Sequence, residues 1–303
     1  MRFSFPLFIL ISLLFSYYDP ELLKALKSYI PILLGLVMFG MGMTLEFNKI
    51  KEIVLNPRWL FTGLILQFSV MPFLAFILSK SFNLSNELLI GFVILGSCPG
   101  GTASNVIAYL SKANLPLSIS LTLFSTFFSI LITPFWIYYY ANEMIEIQTL
   151  SLIKTTFWIV VFPVLDGLIL RRLLKSKIDP ILKFFPKLSE IFIALIIGII
   201  FSLSSDLFDK ITTAFIIVII LHNFLGLIIG YLTASLFKFP IDVRKTIAIE
   251  VGMQNSGLGM TLSLIHFGKV VALPSAIFSL WHNLSAIFLI SFWSKKKKHN
   301  YRD

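Results

Sequence analysis

Cys98-Pro-Gly-Gly-Thr-Ala-Ser-Asn105 and Glu250-Val-Gly-Met-Gln-Asn-Ser-Gly257 each interrupt the middle of a long apolar run. A helix continued through Pro99-Gly100-Gly101 would lose a backbone donor at the proline and extra chain entropy at the glycines. In hydrocarbon, the groups freed by such a break must be satisfied by protein, ions or water. One break alone reads as a kink or a small-residue packing notch. Two breaks in equivalent places, each accompanied by Ser, Thr, Asn or Gln, read as unwound segments. Their free carbonyls suit a cation and their free amides suit an anion.

Outward from these motifs the chain is almost continuously apolar. Of its 303 residues, 57% are hydrophobic, 15% aromatic and 13% charged, against about 25% charged in ordinary soluble domains. A soluble chain could not hide that much apolar surface, so soluble enzymes, disordered chains and secreted disulfide scaffolds are excluded. Cys98 is the sole cysteine, which rules out an intrachain disulfide and a cysteine-based metal cluster. Spans of about 17–25 mostly apolar residues place ten transmembrane segments near 3–18, 29–45, 59–79, 87–111, 115–140, 150–170, 188–204, 212–236, 244–267 and 271–293. The first follows Arg2 and ends at Phe15-Ser-Tyr-Tyr-Asp-Pro20 without a small-x-small cleavage pattern, so it reads as a retained span.

The net charge of +10 tests this layout. With both termini inside, 19 of the 25 Lys and Arg fall on the cytoplasmic side and six on the other, the bias expected of a multi-pass chain in the cell membrane. The basic balance therefore reports topology and contact with membrane lipid, the Lys295–Lys298 run included. It does not point to nucleic acid. The broken spans are the fourth and the ninth, each fourth in its half when the chain is divided into 1–147 and 148–303. Five spans per half is odd, so the halves enter the membrane in opposite directions. An inverted repeat with matching interruptions is the signature of a secondary transporter.

Glu250 is the most informative single residue. A carboxylate near the bilayer centre costs about 2.5 kcal/mol or more and marks function by default. Gln254 lies four residues on, Ser104 and Asn105 come from the other break, and Ser118 and Thr122 share one face of span five. Gln67 stands in an otherwise apolar span three. One carboxylate among neutral oxygens, without a nearby Lys or Arg, suits a monovalent hard cation, Na+. A proton relay would use Glu250 but would not need so many neutral oxygens. Organic cofactors and transition metals are not implied. His222-Asn223 reads as structural, His266 as a solvated edge residue, and Trp136 with Tyr138–Tyr140 as an interfacial aromatic belt. Asp166 either snorkels toward the interface near Arg171 and Arg172 or makes a further polar contact.

Gly40-Met-Gly-Met-Thr44, the two broken motifs and Trp281-His-Asn283 resemble the bile acid:sodium symporter family, its bacterial members above all. The resemblance runs over nearly the whole chain. It implies an all-α polytopic membrane protein of ten helices in two inverted five-helix repeats. Helices one, two, six and seven would form a panel domain, the others a core domain in which helices four and nine cross. Carried over by motif, one sodium site is formed by Ser104, Asn105, Ser118, Thr122 and Glu250. The other is formed by Gln67, Glu250 and Gln254 with the carbonyls of Val251 and Met253. The substrates implied are amphipathic or small organic anions such as bile acids, sulfated steroids or pantoate-like hydroxy acids. An anion would sit near Thr102, Asn255 and Ser256, with His282 and Asn283 either lining the same cavity or bonding between helices.

Three rivals stand beside this sodium-coupled symporter by alternating access. A proton-coupled or efflux carrier of the wider superfamily, such as an arsenite exporter, would need a thiol for the metalloid, and Cys98 has no second one. An intramembrane enzyme would need a nucleophile with its base, and no Ser–His or paired Asp arrangement stands out. A receptor or channel leaves the inverted repeat unexplained.

Overall fold

The computed structural model describes residues 4–44, 56–101, 103–142, 144–204 and 210–299. Among them every regular element is helical. In chain order these are α1 (Ser4–Tyr18), α2 (Pro20–Ala25), α3 (Ile30–Thr44), α4 (Pro57–Ser81), α5 (Asn86–Ser97), α6 (Ala103–Leu110) and α7 (Leu115–Ala141). They continue as α8 (Thr149–Leu174), α9 (Phe185–Leu203), α10 (Thr213–Leu236), α11 (Ile241–Gly252), α12 (Ser256–His266) and α13 (Lys269–His299). Short turns of helix link the neighbours α8 and α9.

Helix starts follow from local chemistry. Asn114 accepts from Leu117 N at 3.0 Å to open α7 and Thr212 accepts from Phe215 N at 3.2 Å to open α10, each satisfying an orphan donor of the first turn. Proline near the start of α4 and α7 is placed where its missing N–H costs nothing. Within α4 and α8 the ladder widens to π-turns at Leu66–Val70 and Phe157–Val161. Each lies just before a proline, Pro72 or Pro163, whose missing N–H frees the carbonyl four residues back.

Two packed groups of helices result. In the first, α1, α3, α8 and α9 share a core that includes Leu34, Val37 and Met38 of α3, Val160, Val164 and Leu168 of α8, and Ile196, Ile197 and Ile200 of α9. α3 and α8 approach through glycines: a Cβ on Gly42 would lie 3.0 Å from the Val164 carbonyl carbon, and one on Gly167 would lie 2.9 Å from Met43 N. Such close backbone contact is how helices gain packing where the hydrophobic effect is absent. Gly42→Leu is therefore expected to lower stability by about 1–3 kcal/mol through overpacking, read as a fall in melting temperature in detergent.

The second group comprises α4, α5, α6, α7, α10, α11, α12 and α13. α4 packs on α5 and α10, α11 on α7 and α10, and α12 on α13. The outward surface is apolar as well: Ile65, Leu131, Phe135, Leu232 and Phe288 are exposed. A chain with apolar residues both inside and outside is solvated by lipid, and this is a multi-pass membrane protein. Trp136 stacks on Tyr140, and Tyr140 on Phe76, where α7 ends.

Seven helices among the described residues are long and apolar enough to cross a bilayer singly. The remaining three expected spans differ for stated reasons. α1 has only 15 residues, and the fourth and ninth spans are each divided into two half-helices, α5 with α6 and α11 with α12, too short to cross alone. The ninth begins at Ile241 and the last helix runs to His299, beyond the expected ends.

Candidate functional site

α5 ends at Cys98, which is extended (φ −68°, ψ 156°), and α11 ends at Met253, also extended (φ −111°, ψ 107°). The two unwound segments meet as an antiparallel bridge between Gly100 and Gln254. Gly101 N donates to Met253 O at 2.9 Å, and Asn255 N donates to Pro99 O at 2.8 Å. Side chains take up further backbone groups. Gln67 Nε2 donates to Cys98 O at 2.7 Å, Asn223 Nδ2 to Gly252 O at 2.8 Å, and Gly100 N to Ser125 Oγ at 3.2 Å. Each break is thus sustained by the other and by neighbouring helices, as backbone without water requires.

Glu250, 3% exposed, stands behind this crossing. Ser104 of α6 and Ser118 of α7 donate to its Oε1, and Thr122 of α7 donates to Oε2 at 2.9 Å. Asn105 joins the group through Ser118 Oγ, 2.9 Å from Asn105 Oδ1. No Lys or Arg among the described residues pairs with the carboxylate. Ser104 and Thr122 also have carbonyl acceptors on their own chain segments, Gly101 O at 2.7 Å and Ser118 O at 3.0 Å. Their hydrogens can therefore swing away from Glu250, which turns the hydroxyl lone pairs toward a cation.

A second polar cluster adjoins the first. Gln67, set on the π-turn of α4, donates from Nε2 to Gln254 Oε1 at 2.6 Å, and Gln254 Nε2 donates to Val251 O at 3.0 Å. Gln67 Oε1 is buried without a hydrogen-bond partner. The carbonyl of Met253 accepts from Gly101, leaving its second lone pair. A small cavity lined by Gly63, Leu64, Gln67, Gly100, Leu121, Ser125 and Glu250 joins the two clusters. All nine residues expected around cations therefore fall in one contiguous region. A carboxylate, three hydroxyls, amide oxygens and carbonyls form an all-oxygen donor set suited to a hard cation.

The residues expected to face an anion are less concentrated. Thr102 lies outside the described residues. Asn255 and Ser256 are buried at the start of α12, where Asn255 Oδ1 accepts from Leu258 N at 3.1 Å. Asn255 Nδ2 points across to Met38 Sδ of α3 at 3.7 Å. His282 lies edge-on to Phe278 at 5.0 Å between centroids, and Asn283 Nδ2 donates to Ser279 O at 2.7 Å within its own helix. His222, fully buried, contacts Met71 O at 3.2 Å, and with Asn223 on Gly252 O the pair ties α10 to α4 and α11. His266 corrects its expectation: it is half-buried, with Nε2 2.9 Å from Thr155 Oγ1 of α8. Asp166 is exposed on α8, and Arg171 pairs instead with Asp179.

Sequence reading missed Ser125, although it continues the Ser118–Thr122 face by a further turn. It also missed a brace beside the site. Asn114 N donates to Thr246 Oγ1 at 2.8 Å, and Asn114 Nδ2 donates to Asp242 Oδ2 at 2.9 Å. Nothing local in the sequence announces that contact.

Residues 31–211 match the model of the Sodium Bile acid symporter family. An uncharacterised sodium-dependent transporter of Bacillus subtilis (strain 168) is 39% identical over 97% of this chain and 92% of its own length. A probable chloroplastic sodium/metabolite cotransporter of Arabidopsis thaliana is 30% identical over 99% of this chain and 75% of its own. The human ileal sodium/bile acid cotransporter is 30% identical over 94% and 84%. These relatives are named as transporters, not enzymes, and they do not favour a metalloid exporter. With an all-helical membrane fold, two breaks that pair and a carboxylate ringed by hydroxyls, the chain belongs to the sodium bile acid symporter family.

Proposed function

We propose that this protein is a sodium-coupled symporter of an organic anion that works by alternating access. One observation carries the reading: the Glu250 carboxylate, unpaired by any base among the described residues, receives three hydroxyls from α6 and α7. One sodium ion is held by Ser104, Asn105, Ser118, Thr122 and Glu250. A second is held by Gln67, Glu250 and Gln254 with the carbonyls of Val251 and Met253. The buried, unpartnered Gln67 Oε1 supports the second site. Sodium is the coupling ion, and no organic cofactor takes part.

The anion, bile-acid-like or a small hydroxy acid such as pantoate, binds before the crossing at Thr102, Asn255 and Ser256, with His282 and Asn283 nearby. The positive dipole end of α12, which starts at Ser256, favours negative charge there. Ions and anion share one backbone crossing, so sodium raises anion affinity and the anion raises sodium affinity by the same factor.

Ten spans form two inverted repeats, 1–147 and 148–303, and the antiparallel pairing of the two breaks supports that inversion. α1, α3, α8 and α9 form the panel and the other long helices the core. The protein sits in the cell membrane with both termini cytoplasmic, as the Lys and Arg bias supports.

Uptake of radiolabelled bile acid or pantoate into vesicles tests the reading, with and without an imposed sodium gradient. Gradient-driven accumulation is expected, and equal uptake under both conditions would refute sodium coupling. His222→Ala serves as a contrast. It is expected to lower stability by about 2–5 kcal/mol through the cavity left by the fully buried ring, seen as a lower melting temperature, while sodium dependence persists.

A further inference from the structure

Two polar stripes meet where α7 packs on α11. Asn114, Ser118 and Thr122 follow at intervals of four on one, and Asp242, Thr246 and Glu250 do so on the other. A step of four residues drifts by only about 40°, so each stripe keeps to one side of its helix. The stripes pair in order: Asn114 with Asp242 and Thr246, then Ser118 and Thr122 with Glu250. The lower rung lies two turns, about 12 Å, before Glu250 along α11.

That rung pins the tip of a hairpin. Between α6 and α7 the chain reverses through Lys112 (φ 53°), with Ala113 N donating to Ala108 O at 2.9 Å. Asn114 Oδ1 then caps α7, while its Nδ2 donates to Asp242 Oδ2 at 2.9 Å and its N–H to Thr246 Oγ1 at 2.8 Å. Thr246, fully buried, can return its own hydrogen to Asn114 O at 3.2 Å. Lys245 Nζ donates to Ser111 O at 3.2 Å, on the same turn.

The hairpin carries Ser104, Asn105, Ser118 and Thr122, whereas Glu250 stands on α11. Above the tip, Leu117 and Leu121 share an apolar cluster with Val243, Ile247 and Val251, and Ile107 and Ala108 share one with Ile249 and Met253. Apolar burial is non-directional, so it holds the elements together without fixing how far one slides along the other. Hydrogen bonds are directional, and those of the lower rung fix that register. We propose that Asn114, acting through Asp242 and Thr246, is a positioning residue that sets how closely the hairpin hydroxyls approach the Glu250 carboxylate. Asn114 touches no ion itself. This inference rests on the sodium reading of the Glu250 cluster.

Melting of the full-length protein in detergent tests it, with NaCl titrated against KCl at constant total salt. The sodium concentration that gives half the rise in melting temperature is the readout. Asn114→Ser keeps an N-cap oxygen but loses the amide that holds Asp242, and Asn114→Asp sets two carboxylates against each other. Both are expected to need at least about tenfold more sodium, the usual effect of losing a group that orients ion ligands. Combining Asn114→Asp with Asp242→Asn exchanges donor and acceptor across the same contact, and should return the midpoint to within about threefold of the parent. Ser120→Ala, whose hydroxyl donates to Pro116 O within α7, should leave the midpoint unchanged. A merely structural role would lower melting in both salts and leave every midpoint in place. That outcome, or single variants that shift without rescue by the pair, would overturn the positioning role. A parent whose melting ignores sodium would overturn the sodium reading itself, and this inference with it.

Discussion

Glu250→Gln is expected to abolish sodium-dependent uptake while leaving the protein folded. The amide has the size of the carboxylate, and its oxygen can still accept from Ser104 and Ser118. Thr122 loses its acceptor at Oε2, but its hydroxyl already lies 3.0 Å from Ser118 O and can turn there. What the variant removes is the negative charge. Two opposite unit charges 4 Å apart attract by about 4 kcal/mol at an effective dielectric constant of 20. The expected loss is therefore at least about a hundredfold in sodium affinity, or about 2.7 kcal/mol. Two measurements check it. Gradient-driven uptake should vanish, and the rise in melting temperature on replacing potassium by sodium should disappear, since a ligand that binds only the folded state stabilises it by mass action. A variant that still melts later in sodium than in potassium would show that the charge of Glu250 does not hold the ion.

The second large effect is expected at the crossing. A Cβ on Gly101 would lie 2.7 Å from Gln254 O and 3.1 Å from its carbonyl carbon, both backbone atoms that cannot swing aside. A Cβ on Gly100 would instead meet Glu250 Oε2 at 2.8 Å, the far end of a side chain. The two alanine variants therefore separate two roles. Gly101→Ala should force the paired segments apart, breaking the Gly101–Met253 and Asn255–Pro99 bonds. Transport should be lost, and stability should fall by about 1–3 kcal/mol or more. Gly100→Ala should melt close to the parent but need at least about tenfold more sodium for half-maximal uptake, since 1.4 kcal/mol of displaced carboxylate contact is enough. Equal melting temperatures for Gly101→Ala and the parent would mean that the crossing tolerates separation.

The polar residues gathered around Glu250 were legible because lipid makes them conspicuous. Glu250, Gln67 and Ser104 stand out wherever the surrounding run is Leu, Ile and Phe. The breaks were legible for the same reason, since Pro and Gly punctuate an otherwise unbroken apolar pattern. Which faces pack together was not legible, because a helix that is apolar on all sides carries no amphipathic stripe to orient it. The bond from Gln67 to Gln254 spans 187 residues and that from Asn114 to Asp242 spans 128, and nothing local encodes either. The π-turn that aims Gln67 had a faint signal in Pro72. His266 was misread because its partner, Thr155, lies 111 residues away on α8.

The bond between Ser104 and Glu250 joins residues 146 positions apart, and this spacing bears on how the protein is made. At about 5–20 residues per second of synthesis, ~7–30 s pass between the emergence of the first broken helix and that of the second. For that interval Cys98–Gly101 has no partner segment, and its free carbonyls and amides must be sheltered by the insertion machinery or by lipid headgroups. Assembly is therefore expected to be most vulnerable to membrane quality control in the nascent chain, before α11 arrives. Substitutions at the crossing should act first on how much protein accumulates, and only then on how well it transports.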